Sequence, residues 1–382
     1  MVSLISVVDK VISAGVKIRP IWLKKWLLSL LFSFNILVNR LKLLFSHLRL
    51  SVSLVSGLEK QTGETISVLF VGGKRFPVFL CELIFDGKPM ICNQGNVFIW
   101  NIKDLKKRYA GKVDAVLVNC DQLYKRFLYQ DFFVFPHWVD MSLDCSKGLV
   151  ELSNSFSRNT KRDIKTMEEH NFSFELTKDI GKLKIFYYDM FLPTLSNRIG
   201  TTDMLTPSFM WLNCLIEIRY ELMMISSEGT YVCGGFFYLD SDKGFLRYSG
   251  VLEGQLSFIK KRTSNAIYYF FILEAFKRKI KKISFGGARP FFNDGLFQYK
   301  RKWGMKVEPN DLFKEIFGLQ IVRESEPLKQ FLIHNPFVGM NEKKELIGFV
   351  FVDKKTYTDA MSHQLEKKYQ TSGVNRLRFI KL

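Results

Sequence analysis

The stretch Ile283 to Gly304, ISFGGARPFFNDGLFQYKRKWG, constrains the fold more than any other part of the chain. Ile283 and Phe285 alternate as in a short buried strand, and Gly286 and Gly287 follow at once. Glycine lacks a Cβ, so such a pair permits close backbone approach or dihedrals that side chains forbid. Arg289, Pro290, Asn293, Asp294 and Gly295 then make a turn-rich loop. Leu296 to Trp303 forms a short basic helix, stopped by Gly304. Strand, glycine pair, polar loop and helix N-terminus, in that order, make a ligand edge of an α/β sheet. An ordinary β-turn-α connection has the same pattern, and on this stretch alone both stand.

At 382 residues the chain exceeds one average domain, so two or more packed units are expected. Its 36 Phe promise an aromatic-rich core. The formal charge of +19 points to an anionic partner: nucleic acid, a phospholipid surface, or a phosphorylated substrate or cofactor. Six cysteines, at 81, 92, 120, 145, 214 and 233, include no CxxC pair and stand near no His at metal spacing. They read as reduced residues of a cytosolic protein, and no metal is expected.

From Lys10 to Leu58 there are eight Lys or Arg and no Asp or Glu. Leu23, Leu27, Leu30, Phe34, Leu37, Leu41, Leu44 and Leu48 recur at helical spacing. The apolar run from Trp26 to Val38 falls well short of the ~20 residues that cross a bilayer. Lengthening it would place Arg40 and Lys42 in hydrocarbon. No small-residue cleavage site follows, which argues against a signal peptide. Residues 1–60 are therefore expected to form a basic amphipathic helix on an anionic membrane surface, peripheral to the cytoplasmic face. An amphipathic helix capping the core is the alternative.

Residues 66–71 (ISVLFV) predict a strand, and the Gly72-Gly73-Lys74 that ends it lacks the spacing and the Ser or Thr of a P-loop. Residues 76–85 and 89–92 flank Asp86-Gly87-Lys88, a hairpin signal. Residues 115–118 and 132–138 give further strands, with His137 as a packed aromatic. Residues 157–169 make a charged helix on which Arg158, Lys161, Arg162 and Lys165 gather, either as a solvated face or toward an anionic ligand. Residues 220–226, 231–239 and 245–251 form a meander, and a helix over 264–279 leads to the anchor strand. At the carboxyl end, 346–352, 357–369 and 375–380 predict strand, helix and strand.

Helix, meander, loop, helix, strand and short helix in this order resemble the GNAT acyltransferase fold. The likeness is to its Fem-type branch, and to the acetyltransferase-like domains of bacterial polysaccharide and cell-envelope contexts. The residues that carry it are Ser157-Arg158-Asn159-Thr160-Lys161-Arg162-Asp163-Ile164, Tyr248-Ser249-Gly250, and FGGARPFFNDGLFQYKRKWG from Phe285. The resemblance implies an α/β (α+β) protein with a GNAT-like mixed, mostly antiparallel sheet flanked by helices, two such units standing in tandem. Residues 61–145 would be a degenerate unit, 146–310 the acyltransferase domain and 311–382 an α/β extension.

Members of this superfamily move an acyl or aminoacyl group from a carrier to an amine or hydroxyl, which here implies acetyl-CoA or another acyl-CoA as cosubstrate. The usual carrier turn is Q/R-x-x-G-x-G/A, whereas QLSFIKKRTSN after Gly254 contains no G-x-G. Lys260, Lys261 and Arg262 precede Ser264 and Asn265, at a helix start whose N–H groups and dipole suit phosphate. Gly286 and Gly287 complete the implied carrier contacts. Tyr299 lies where the fold places a thiolate-protonating tyrosine, and Asp294 and Glu253 are the candidate bases. Arg289, Arg198 and Arg162 are candidates for holding a substrate carboxylate or phosphate. The implied acceptor is a sugar or envelope precursor at the membrane. An aminoacyl-tRNA carrier and a non-catalytic module docking on membrane or RNA are the alternatives, since many Lys and Arg also favour tRNA.

Overall fold

The computed structural model describes residues 34, 37–38, 41–42, 44–73, 76–169, 171–199, 206–255, 263–310 and 314–382. In chain order the elements begin with β1 (Arg49–Leu58), β2 (Thr65–Gly72), α1 (Val78–Ile84), β3 (Met90–Phe98), α2 (Leu105–Arg108), β4 (Ala115–Asp121), β5 (Phe133–Pro136) and β6 (Val139–Asp144). Next come α3 (Leu149–Asn154), α4 (Arg158–Glu169) and β7 (Ser173–Thr177). The helix α5 runs through Ile180–Ile185, a π-helical turn Phe186–Phe191, and Leu192–Ile199. After α6 (Phe209–Ile218) follow β8 (Glu221–Ser227), β9 (Thr230–Asp240), β10 (Lys243–Val251), α7 (Thr263–Lys277), β11 (Lys282–Ala288) and α8 (Gly295–Lys302). The chain ends with β12 (Lys306–Pro309), β13 (Glu315–Ile321), α9 (Glu326–His334), β14 (Phe337–Met340), β15 (Leu346–Val352), α10 (Asp359–Tyr369) and β16 (Arg376–Lys381).

These elements gather into two compact units, each made of separate stretches of chain. One comprises Met1–Asn39, Ser142–Gly286 and Lys302–Met305; the other comprises Arg40–Met141, Gly287–Arg301 and Lys306–Leu382. Both are mixed α/β, with mostly antiparallel sheets flanked by helices, the class the sequence predicts.

In the first unit β8, β9 and β10 form the expected antiparallel meander, β7 extends it beside β8, and β11 joins β10 in parallel. Its core packs the π-turn side chains Phe186, Met190 and Phe191 against Leu212, Leu222 and Phe236. The apolar helix α7 is buried along most of its length, with Ala266, Ile267, Phe271 and Ala275 inside. That continuous burial suits a helix laid on the sheet beneath a parallel crossover.

The second unit holds a six-stranded sheet in the order β3-β1-β2-β4-β13-β5, and a three-stranded sheet β14-β15-β16. All seven residues of β4, AVLVNCD, are buried, as a central strand covered on both faces requires. Asp114, fully buried, sits at the start of β4 and accepts from Ser67 N at 2.8 Å and from Arg323 Nε and Nη2 at 2.9 and 2.6 Å. Phe70, Phe76, Phe85, Phe135, Phe317 and Phe337 dominate the core around it.

Two expectations are corrected. Residues 76–85 do not form a hairpin strand: Val78–Ile84 is the helix α1, burying Leu80 and Ile84 one turn apart. Pro77 stands at its N-cap, where a missing N–H costs nothing, and the i, i+4 pair outweighs the β-propensity of Val and Phe. The helical segment expected over 1–60 also stops short. Arg49–Leu58 is β1, paired with β2 on one side and β3 on the other, with Val52 and Val55 buried. Its serine-valine alternation, SVSLVS, carries period two rather than the helical period of the residues before it. The described helical residues ahead of it include Phe34, Leu37, Leu41 and Phe45, all exposed. No helix among the described residues is long and apolar enough to cross a membrane.

Candidate functional site

The parallel ladder between β10 and β11 covers only Lys243↔Lys282, Gly244↔Ile283 and Phe245↔Ser284. Beyond Phe245 the two strands exchange no further registered pairs, and β10 carries an irregularity between Leu246 and Tyr248. Gly286 takes φ +73°, a backbone state that disfavours side chains, and its N–H donates to Ser284 Oγ at 3.1 Å.

The far end of β10 is pinned rather than loose. Gly250 lies flat on the π-turn: a Cβ there would fall 2.6 Å from the backbone of Met190 and Phe191. Thr194 Oγ1 accepts from Val251 N at 2.8 Å, and Asn197 Nδ2 donates to Gly254 O at 3.2 Å. Between these anchors Glu253 is exposed, takes φ +52°, and accepts a hydrogen bond from Gln255 Nε2. At the first turn of α7, Asn265 Nδ2 donates to the buried carboxylate of Asp163 at 2.8 Å.

Two of the stretches that carry the sequence resemblance meet here. Ser157 N and Thr160 Oγ1, at the start of α4, donate to Lys302 O at 2.8 and 3.0 Å. Gly304 has φ +71° and leaves no room for a Cβ beside Ser155. Trp303 is buried against Phe156 and Tyr268, with ring centroids 5.3 and 5.8 Å away.

The second unit contains a separate polar cluster. Lys300, 2% exposed, reaches back from α8 to donate to Gly287 O at 2.8 Å. Burial pushes its ammonium down to about 7, against the opposing pull of Asp140 and Asp294. The Arg289 guanidinium lies 3.7 Å from the centre of the Phe79 ring and 4.0 Å from that of Trp138. Burial lowers it to about 10, and its Nη1 is buried with no hydrogen-bond partner. Asp294 caps α8, accepting from Phe297 N at 2.8 Å. His137 is packed among Phe79, Trp138 and Phe317, as the sequence predicts.

No protein-family model matches the chain, and no curated protein matches it. Among solved structures, the chain is similar to one described as FemX, at 14% identity over 73% of this chain and 90% of that one, with a TM-score of 0.40. It is similar to L-PGS from Bacillus licheniformis at 13% identity over 72% of this chain and 83% of that one, TM-score 0.35. A GCN5-related N-acetyltransferase from Anabaena variabilis follows at 11% identity, 76% and 62% coverage and TM-score 0.28.

The candidate residues named from sequence fall into both units. Glu253, Ser264, Asn265, Gly286 and Arg162 belong to the first, Arg162 being exposed on α4. Gly287, Arg289, Asp294 and Tyr299 belong to the second, with Tyr299 half-buried on α8. Lys260, Lys261 and Arg262 lie outside the described residues, and Arg198 is described only as a position on α5. Sequence reasoning passed over Asp163 and Lys300. Lys300 left a trace: it lies three residues after Phe297 and three before Trp303, on a face whose other members are apolar.

Proposed function

We propose that the chain is an acyltransferase that moves an acetyl or other acyl group from acyl-CoA to an amine or hydroxyl of a sugar or cell-envelope precursor. The halted ladder between β10 and β11 is the observation that carries this reading. An acyl-pantetheine arm is an extended chain with two amides, suited to lie along strand ends such as those beyond the last β10–β11 pair, Phe245↔Ser284. The transfer forms a C–N or C–O bond and breaks the thioester C–S bond. The nucleophile gives its proton to a base, and the departing thiolate takes one up. Glu253, exposed and fixed by its hydrogen bond just past the end of β10, is the candidate base. In the second unit, Arg289 offers a buried donor to a carboxylate or phosphate.

An aminoacyl-tRNA carrier is the second reading, and one pair favours it. The buried Asp163 carboxylate accepts from the Asn265 side chain in the first turn of α7, a negative charge close to where a pyrophosphate would approach the positive end of the helix dipole. The charge of +19 also suits a long polyanion. Calorimetry with acetyl-CoA and with charged tRNA, each at two salt concentrations, separates the readings. Acetyl-CoA binding that tightens severalfold in Asp163→Asn supports the first. Salt-steep tRNA binding without acetyl-CoA binding replaces it with the second, and binding of neither removes both.

A further inference from the structure

The second unit carries a basic, aromatic face where β3 ends. Phe98 ends β3 and Trp100 follows it; both are exposed, Trp100 at 51%, and their rings stack at 4.8 Å and 7°. The turn that continues from them buries Ile99, Ile102 and Leu105 and leaves Lys103, Lys106, Lys107 and Arg108 outside. From residue 98 to 112, FIWNIKDLKKRYAGK, there are five basic residues and one acid, Asp104. β3 itself, the edge strand of the six-stranded sheet, contains no charged residue at all. Native edge strands normally carry charge to prevent pairing, so an uncharged edge ending in two exposed aromatics marks a surface that meets something.

The amino-terminal helical residues come alongside. Ile99 N donates to Leu48 O at 3.1 Å, and Phe98 pairs with Arg49 across the β1–β3 ladder. One helical turn before Leu48 stands Phe45, 69% exposed, and one turn before that Leu41, also exposed. Exposed Phe, Leu and Trp flanked by Lys and Arg are the composition of an interfacial membrane contact.

We propose that Phe98, Trp100 and the basic turn Lys103 to Arg108 form a docking face for an anionic phospholipid surface, with Leu41 and Phe45 inserting beside them. Charge complementarity selects the occupant. Net positive charge next to apolar side chains fits acidic headgroups over acyl chains. A nucleic acid would stack its bases on open aromatic faces, whereas Phe98 and Trp100 cover one face of each other, and it would gain nothing from Leu41 or Phe45. The proposal does not rest on the acyl-transfer chemistry.

The test uses the full chain and vesicles of phosphatidylcholine with and without phosphatidylglycerol. Binding is expected only to the anionic vesicles, to weaken at least tenfold in Phe98→Ser/Trp100→Ser, and to weaken similarly in Lys106→Ser/Lys107→Ser/Arg108→Ser. Circular dichroism matching the parent protein excludes misfolding. As a second arm, brominated lipid should quench tryptophan emission of the parent chain more than that of Trp100→Phe. Two results overturn the proposal: unchanged vesicle binding in both variants, or equal quenching with and without Trp100.

Discussion

Replacing Lys300 by Met tests whether the buried ammonium titrates as its surroundings dictate. In the folded protein Lys300 sits at about 7, whereas in the unfolded chain a lysine returns to its ordinary value near 10.4. Between those limits the unfolded chain holds a proton that the folded chain has released, so stability rises with pH by about 1.4 kcal/mol per unit. Near pH 7.5 some folded molecules still carry the proton, and near pH 9.5 some unfolded ones have lost it. The gain over that interval is therefore about 2.5 kcal/mol rather than the full two-unit value. Lys300→Met keeps the length of the side chain and removes the titration. It also deprives Gly287 O of its donor, but that loss is the same at every pH and cancels from the slope. Urea unfolding followed by circular dichroism at the two pH values should show the parent chain gaining this increment over the variant. Parallel stability curves for the two proteins would refute the assignment and mean that water or a counterion reaches the ammonium.

Three further substitutions probe the frame around the candidate residues. Arg323→Ala strands the fully buried Asp114 without its guanidinium and should cost about 3–5 kcal/mol in urea unfolding. Gly304→Ala forces a Cβ against Ser155 at φ +71° and should destabilise by about 2 kcal/mol or more, read as a lowered thermal midpoint. Asp294→Ala should cost about 1 kcal/mol through loss of the α8 cap, while Asp294→Asn keeps the acceptor and the stability. If Asp294 also takes part in transfer, the Asn variant loses activity at unchanged stability.

The meander, the helix α7 and the strand β11 were legible because their periodicities do not conflict with anything nearby. The point at which the β10–β11 ladder stops was not, since local propensity carries no information about that. Phe76 to Phe85 misled for a related reason. Its apolar residues satisfy both a strand and a helix, and the packing of Leu80 and Ile84 decides between them. Asp163 and Lys300 are harder still. Each sits in a run of charges, Lys161-Arg162-Asp163 and Lys300-Arg301-Lys302, where composition suggests solvent and only the helical phase marks the buried member.

The glycine pair that made Ile283 to Gly304 conspicuous separates into two physical demands. Gly286 meets a dihedral demand: at φ +73° it has space for a Cβ, with its nearest neighbour, Phe245, 3.9 Å away, yet the backbone state is unfavourable to one. Gly287 meets a spatial demand: a Cβ would come within 3.3 Å of the Trp138 ring and of Val139 O, the same tryptophan on which Arg289 rests. The first glycine lets β11 bend where its ladder to β10 has ended. The second lets the chain pass close to Trp138, so that Gly287 O is presented to Lys300 and Arg289 is laid on the indole. One dipeptide thus serves both candidate sites, by dihedral freedom at one residue and by the absence of a side chain at the next.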